Sequence, residues 1–272
     1  MRKLFYLFLF VLLTKVASAQ TDSLWVALFS IPAQGAPFFT TDQILQTYLI
    51  NHDQELVKYS AEGKEQFRYN NRRLGKLARV DVSNTFSLLL YYSDYQTAII
   101  LDRTLSKISE WNLLSFGFLN VTAVATSTDN QLWIYDIGDQ RLKKIGANGS
   151  VLTQSDNLLQ VLDFSLQPAC LLAYGNYVYL SDPAHGIVVF DAIGQYHGLI
   201  PMQGLTDFQV LSDAGDVLYQ KEGALWRYGL QMPAPERIAL PAEIAADARL
   251  QLQRGRLFSL SQDTLSVYCR KE

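Results

Sequence analysis

Ile187-Val188-Val189-Phe190-Asp191, closed by Gly194, is a short run of β-branched and aromatic residues that ends in a turn. A run of this kind bounded by turn residues reads as a strand. The same figure recurs along the chain. Arg141-Leu142-Lys143-Lys144-Ile145 ends in Asn148-Gly149, Glu55-Leu56-Val57-Lys58-Tyr59 ends in Ala61-Glu62-Gly63, and Ala98-Ile99-Ile100-Leu101-Asp102 is a further copy. Leu225-Trp226-Arg227-Tyr228 and Leu265-Ser266-Val267-Tyr268 are shorter ones. The copies lie about 42 residues apart, which leaves room for four strands and their turns, the content of one propeller blade. Between them run alternating strands and turns built on Asp, Asn or Gly, and no long stretch carries apolar residues at helical spacing.

These repeats predict an all-β chain folded as a six-bladed β-propeller. With strands named a to d from the axis outward, the a strands fall near Phe38-Thr41, Leu77-Ser83, Val121-Thr126, Cys170-Tyr174, Phe208-Ser212 and Arg249-Leu252. The last repeat stops one strand short after Cys269, while Leu24 to Ile31 precedes the first a strand without a repeat of its own. That N-terminal segment is therefore expected to supply strand d of the sixth blade, closing the ring and removing an exposed edge. A β-sandwich or a lipocalin-like barrel predicts no repeat of this length.

Arg2 and Lys3 precede an apolar run from Leu4 to Leu13, and Ala17-Ser18-Ala19 follows. That order of basic, apolar and small residues is a secretory signal peptide. Residues 1–19 are expected to be removed, leaving 20–272 as a single propeller domain, periplasmic or extracellular. The apolar run falls short of the roughly 20 residues that span a membrane, so the mature chain is expected to carry no membrane span. Apolar residues make up 49% of the chain and charged residues 18%, a composition that supports a buried core. Loss of Arg2, Lys3 and Lys15 takes the formal charge from -3 to -6 and argues against a nucleic-acid partner.

Placing the remaining chemistry on a ring separates it. His52 and His185 fall near the b-to-c turns of blades 1 and 4, and His197 in an outer strand, so a shared metal or nucleophile is not expected. There is no H-E-x-x-H, G-x-S-x-G or Gly-rich phosphate loop. No cofactor, metal or catalytic set is predicted. Cys170 on an a strand of blade 4 and Cys269 on a c strand of blade 6 are too far apart for a disulfide. Asp53, Asp94, Asp139, Asp182, Glu222 and Asp263 share the face that carries the b-to-c and d-to-a turns. Their first reading is satisfaction of turn backbone, and their distance from the axis keeps them from sharing one ion.

On that same face, Asn70-Asn71-Arg72-Arg73, with Lys76 and Arg79, forms the connection from blade 1 to blade 2, beside Tyr91, Tyr92 and Tyr95. Arginine next to tyrosine is the composition of interface hot spots. Trp111 to Asn120 is expected to overhang this region, and Glu236 to Asp247 is a second candidate for an elaborated connection. Arg72, Arg73, Tyr92, Tyr95, Trp111 and His185 are the candidate partner-binding residues.

Asp129-Asn130-Gln131-Leu132-Trp133-Ile134-Tyr135-Asp136 is similar to the turn and second strand of NHL-type six-bladed propellers. Through Val80-Asp81-Val82-Ser83-Asn84 and Asp182-Pro183-Ala184-His185-Gly186-Ile187 as well, the chain resembles a group of uncharacterised secreted propeller proteins of Gram-negative bacteria. The resemblance implies a six-bladed ring in the cell envelope and no particular activity, since NHL-type propellers include scaffolds and enzymes. The histidine-rich axial metal site of the amidating lyases in that class has no counterpart here. The functional expectation is a non-catalytic module binding an envelope protein. The alternative is a carbohydrate-active hydrolase or lyase using carboxylates and tyrosines at the channel mouth, with a glycan or small molecule as ligand.

Overall fold

The computed structural model describes residues 24–211, 215–229, 232 and 234–271. The signal-peptide expectation for residues 1–19 lies outside them, as does Ser212 at the end of the fifth expected a strand. Strand β1 (Trp25–Pro32) comes first. Blade 1 follows as β2 (Phe38–Thr41), β3 (Thr47–Ile50), β4 (Leu56–Tyr59) and β5 (Glu65–Tyr69). Blade 2 is β6 (Leu77–Asp81), β7 (Ser87–Tyr92), β8 (Thr97–Asp102) and β9 (Lys107–Asn112). Blade 3 is β10 (Val121–Thr126), β11 (Leu132–Asp136), β12 (Arg141–Ile145) and β13 (Val151–Gln154), trailed by the helix α1 (Leu158–Leu162). Blade 4 is β14 (Cys170–Tyr174), β15 (Tyr177–Asp182), β16 (Gly186–Asp191) and β17 (Tyr196–Ile200). Blade 5 is β18 (Gln209–Val210), β19 (Val217–Lys221), β20 (Ala224–Tyr228) and β21 (Glu236–Ile238), and blade 6 is β22 (Arg249–Gln253), β23 (Arg256–Leu260) and β24 (Thr264–Arg270).

Each blade is a four-stranded antiparallel sheet, and the sixth has the order β1-β24-β23-β22. The chain is a six-bladed β-propeller whose ring is closed by its N-terminal strand, as the repeat count predicts. β1 pairs with β24 from Trp25↔Arg270 to Pro32↔Thr264. Its closure is packed as well as hydrogen-bonded. Trp25 enters the core shared by blades 5 and 6, and Ile31 the core shared by blades 6 and 1.

The apolar clusters lie between blades, not within them. Tyr48, Leu56, Leu88 and Leu101 join blades 1 and 2, for example, and Trp133, Leu142, Leu180 and Phe190 join blades 3 and 4. Middle strands are therefore covered on both sides. This is why β3, β4, β11 and β16 run nearly continuously apolar where a half-buried strand would alternate. Outer strands such as β5 and β13 stay mostly exposed.

A recurring glutamine ties the b-to-c regions of blades 1, 2, 3 and 5 to the next blade. Gln54 Oε1 accepts from Leu77 N at 3.1 Å, and Gln140 Oε1 from Leu166 N at 3.0 Å. Gln96 accepts from Val121 N at 2.7 Å and donates to Val121 O at 3.1 Å, and Gln220 makes the same two-way contact with Leu250 N and Ala248 O. These bonds satisfy backbone groups at the inner strand ends that no neighbouring strand reaches.

Two features depart from the sequence reading. Helix α1 interrupts the all-β pattern, capped by Asn157, whose side chain accepts from Gln160 N, and ended by Asp163 in the left-handed region at φ 60°. Five residues are too few to show a helical period. The segment after Trp111 is anchored where a free overhanging loop is expected: Trp111, Leu113 and Phe118 are buried in the core between blades 2 and 3, while Leu114 and Leu119 stay exposed.

Candidate functional site

The innermost strands all begin on the face that carries the d-to-a and b-to-c turns, and there they converge on the axis. In β6 and β10 the register slips between Leu77 and Arg79 and between Val121 and Ala123. Such bulges re-aim the residues beside them. The extra residues Ala78 and Thr122 are exposed, as are Ala169 and Thr206 at the corresponding places of blades 4 and 5. These four small side chains border a cavity of about 310 Å³.

Its floor is an ion-paired layer. Arg79 Nη1 lies 3.4 Å from Asp207 Oδ1, and Arg249 Nη2 donates to Asp207 Oδ2. The Asp207 carboxylate also accepts from Phe208 N at 3.1 Å, and the Cys170 thiol points at it from 3.9 Å. Phe38 lies beneath Arg249, with the guanidinium carbon 4.5 Å from the ring centroid, a stacking that holds the plane of the fork. Burial pushes the Cys170 thiol up to about 12, against the pull of Arg79, so it stays neutral. Arg79 is 19% exposed, and its Nε is buried with no partner among the described residues.

Below this layer the channel widens into a second cavity of about 480 Å³, whose lining includes Asp42, Asp81, Tyr174, Gln251 and Arg254. Phe38, Arg79 and Asp207 line both cavities and so form the partition between them. The carboxylates on the wide side are engaged by backbone. Asp42 is buried, accepting from Ile44 N, Gln46 N and the Tyr48 hydroxyl, and Asp81 accepts from Ser83 N at 2.9 Å and Thr126 N at 2.7 Å.

The residues singled out from sequence are not brought together as a set. Arg72 and Arg73 are exposed and Tyr95 is 53% exposed on the same face. Asp94, which accepts from Lys76 N at 3.0 Å, draws the turn bearing Tyr95 against the connection that bears the arginines. Tyr92, 1% exposed, and Trp111, 7% exposed, belong to inter-blade cores and present no side chain to a partner. Their apolar neighbours on adjacent blades account for this. His185 sits on blade 4, away from the arginines, stacked on Phe164 at 3.8 Å with Nδ1 3.1 Å from Asp182 Oδ1. Arg79 does not join the surface patch but turns inward to the axis, because it lies within strand β6 and not in the connection before it.

Asp94 and Asp182 hold turn backbone as expected, while Asp139 is engaged by a lysine instead. Asp182 accepts from Gln167 N, Ala184 N and His185 N, and Asp139 pairs with Lys143 at 2.7 Å. Among the described residues no group of three or more His, Cys, Asp or Glu converges as a metal site. Cys170 and Cys269 are free, on the strands assigned to them. Sequence reasoning passed over Asp207 and Arg249; a charged residue at the head of an innermost strand was the available signal.

No family model matches the chain, and no curated protein is significantly similar to it. Solved structures do match. A virginiamycin B lyase from Staphylococcus aureus superposes with a TM-score of 0.65 at 9% identity, covering 91% of this chain and 100% of that one. The Pan2 WD40 domain of Neurospora crassa gives 0.62 at 10% identity, covering 91% and 96%. A streptogramin B lyase gives 0.58 at 10%, covering 91% and 97%. At such identities the likeness extends to the fold alone.

Proposed function

We propose that this chain is an exported, NHL-like β-propeller that works without catalysis as a protein-binding module of the cell envelope. A propeller frame is consistent with a binding module, and the residues 1–19 support export. The observation that carries the reading is the exposed group Arg72, Arg73 and Tyr95, gathered on one face by the Asp94 contact to Lys76 N. Arginine and tyrosine on a rigid frame are the residue types that dominate binding energy at interfaces. Two arginines and Lys76 on an otherwise acidic chain select an acidic partner surface. Binding is favoured over glycoside hydrolysis because that reaction needs two available carboxyl groups about 5–10 Å apart, and Asp42 and Asp81 are both committed to backbone donors.

The test is affinity capture from envelope extract with the mature chain and with Arg72→Glu plus Arg73→Glu. A partner retained by the first and lost by the second is the expected result. Partners bound equally by both remove this face. N-terminal sequencing of the protein recovered from the envelope fraction tests export: a start at Gln20 is expected, and a chain retaining Arg2 overturns it.

A further inference from the structure

We propose that the cavity of about 310 Å³ at the axial mouth is a binding site for a carboxylate, seated on Arg79 and Arg249. The floor of that cavity holds two guanidinium groups in contact with one carboxylate, that of Asp207. Arginine does not lose its proton in proteins, so two positive charges share the Asp207 carboxylate at the floor itself. Asp81 acts on Arg79 from the other side of the partition, where it lines the wider cavity and is held by Ser83 N and Thr126 N.

The donors are underused. Arg79 makes one long ion-pair contact, at 3.4 Å, besides its approach to the Cys170 thiol, and keeps a buried Nε with no partner among the described residues. A buried donor of a charged group left unpaired is costly. A guanidinium presents its donors as a fork that fits two oxygens side by side. The stack of Arg249 on Phe38 holds the second fork in place without any ligand. The neutral Cys170 thiol adds no competing charge. Ala78, Thr122, Ala169 and Thr206 at the mouth are small enough to admit a ligand, and the two threonines can donate to it.

A carboxylate presents two coplanar oxygens to such a fork and carries a single charge, so it meets less repulsion from Asp207 and Asp81 than a doubly charged phosphate. The volume suits one or two residues of a peptide ending in a free carboxylate, or a small monocarboxylic acid. The inference adds to the docking reading and does not depend on it, since the site can be filled with no protein partner present.

The test uses the purified mature chain at low chloride, with the Arg Nε–H resonances and calorimetry as readouts. The probes are acetyl-Ala-Gly-Ala as free acid, the same peptide as amide, butyrate and inorganic phosphate. The expected result is a shift of the Arg79 Nε–H resonance with the free acid or butyrate and none with the amide. Response to the free-acid peptide alone identifies a chain terminus as the ligand, and response to butyrate identifies a small free acid. Asp207→Asn, which removes the competing charge, should tighten binding roughly tenfold, a gain that a merely structural role for Asp207 does not produce. Arg249→Leu should weaken it by a similar factor, whereas Arg72→Glu plus Arg73→Glu should leave it within about twofold, which separates this site from the docking face. Equal response to acid and amide, response to phosphate alone, or no response in either wild type or Asp207→Asn overturns the proposal.

Discussion

Arg79 Nη1 meets Asp207 Oδ1 at 3.4 Å across the axis of the ring, joining blades 2 and 5 over 128 residues of sequence. These blades are three apart and face each other, so the pair bridges the channel and is no local contact. Arg249 from blade 6 shares the same carboxylate. Stability therefore depends on Asp207 more than on either arginine. Asp207→Ala leaves two facing guanidinium groups without the carboxylate they share and is expected to cost roughly 2–4 kcal/mol. Arg249→Ala, at the more exposed end of the network, should cost about 1 kcal/mol or less. Urea denaturation of the two variants measures the order, and an equal loss would mean the layer is not coupled through Asp207.

Ring closure is open to a covalent test. Val26 of β1 is the register partner of Cys269 in β24. Val26→Cys is expected to cross-link to Cys269 under mild oxidation, since antiparallel partners bring Cα atoms within disulfide range. The bridge encloses nearly the whole propeller and should add stability of up to about 4 kcal/mol, reversed by reductant. Mass spectrometry that finds both thiols free after oxidation would contradict the register.

The glutamine contacts should differ in worth according to their number. Gln220 accepts from Leu250 N and donates to Ala248 O, while Gln54 accepts one bond from Leu77 N. Gln220→Ala leaves a strand-end donor and an acceptor unsatisfied and should cost about 2–3 kcal/mol, against about 1 kcal/mol for Gln54→Ala. Thermal melts of the pair provide the comparison.

Lys58 is buried in β4, its Nζ 2.6 Å from Arg103 O and lying over the Tyr48 and Phe67 rings. Burial pulls its ammonium below the ordinary value of 10.5, with Asp42 opposing the shift. The unfolded chain therefore binds more protons than the folded one in the window just below pH 10.5. Stability from this group rises with pH through that window and is lower throughout the acidic side. Wild type should gain on Lys58→Met as pH is raised toward 10.5, and parallel stability curves for the two proteins would show that Lys58 does not titrate differently on folding.

Much of the architecture was legible because a blade is a local object. Short apolar strands and turn residues repeat within about 42 residues, and counting them yields six blades, the missing d strand of the last, and its supply by Trp25 to Pro32. The same count keeps Cys170 and Cys269 on different blades. Less was legible of the site. Arg72, Arg73 and Tyr95 were placed on the right face, but Tyr92 and Trp111 carry the same interface composition and are core residues, since their environment is set by the neighbouring blade.

What the chain determines by itself, then, is the ring: its blade number, its closure and the face on which each turn emerges, all encoded in periodicity that acts over a few residues. The axial layer was decided only by tertiary structure. Phe38, Arg79, Cys170, Asp207 and Arg249 come from five blades, and no spacing in the sequence relates them. Bulging at Ala78 and the closing of the ring bring their side chains to one level of the channel. There two arginines share the Asp207 carboxylate, a relation that exists only once the channel is formed.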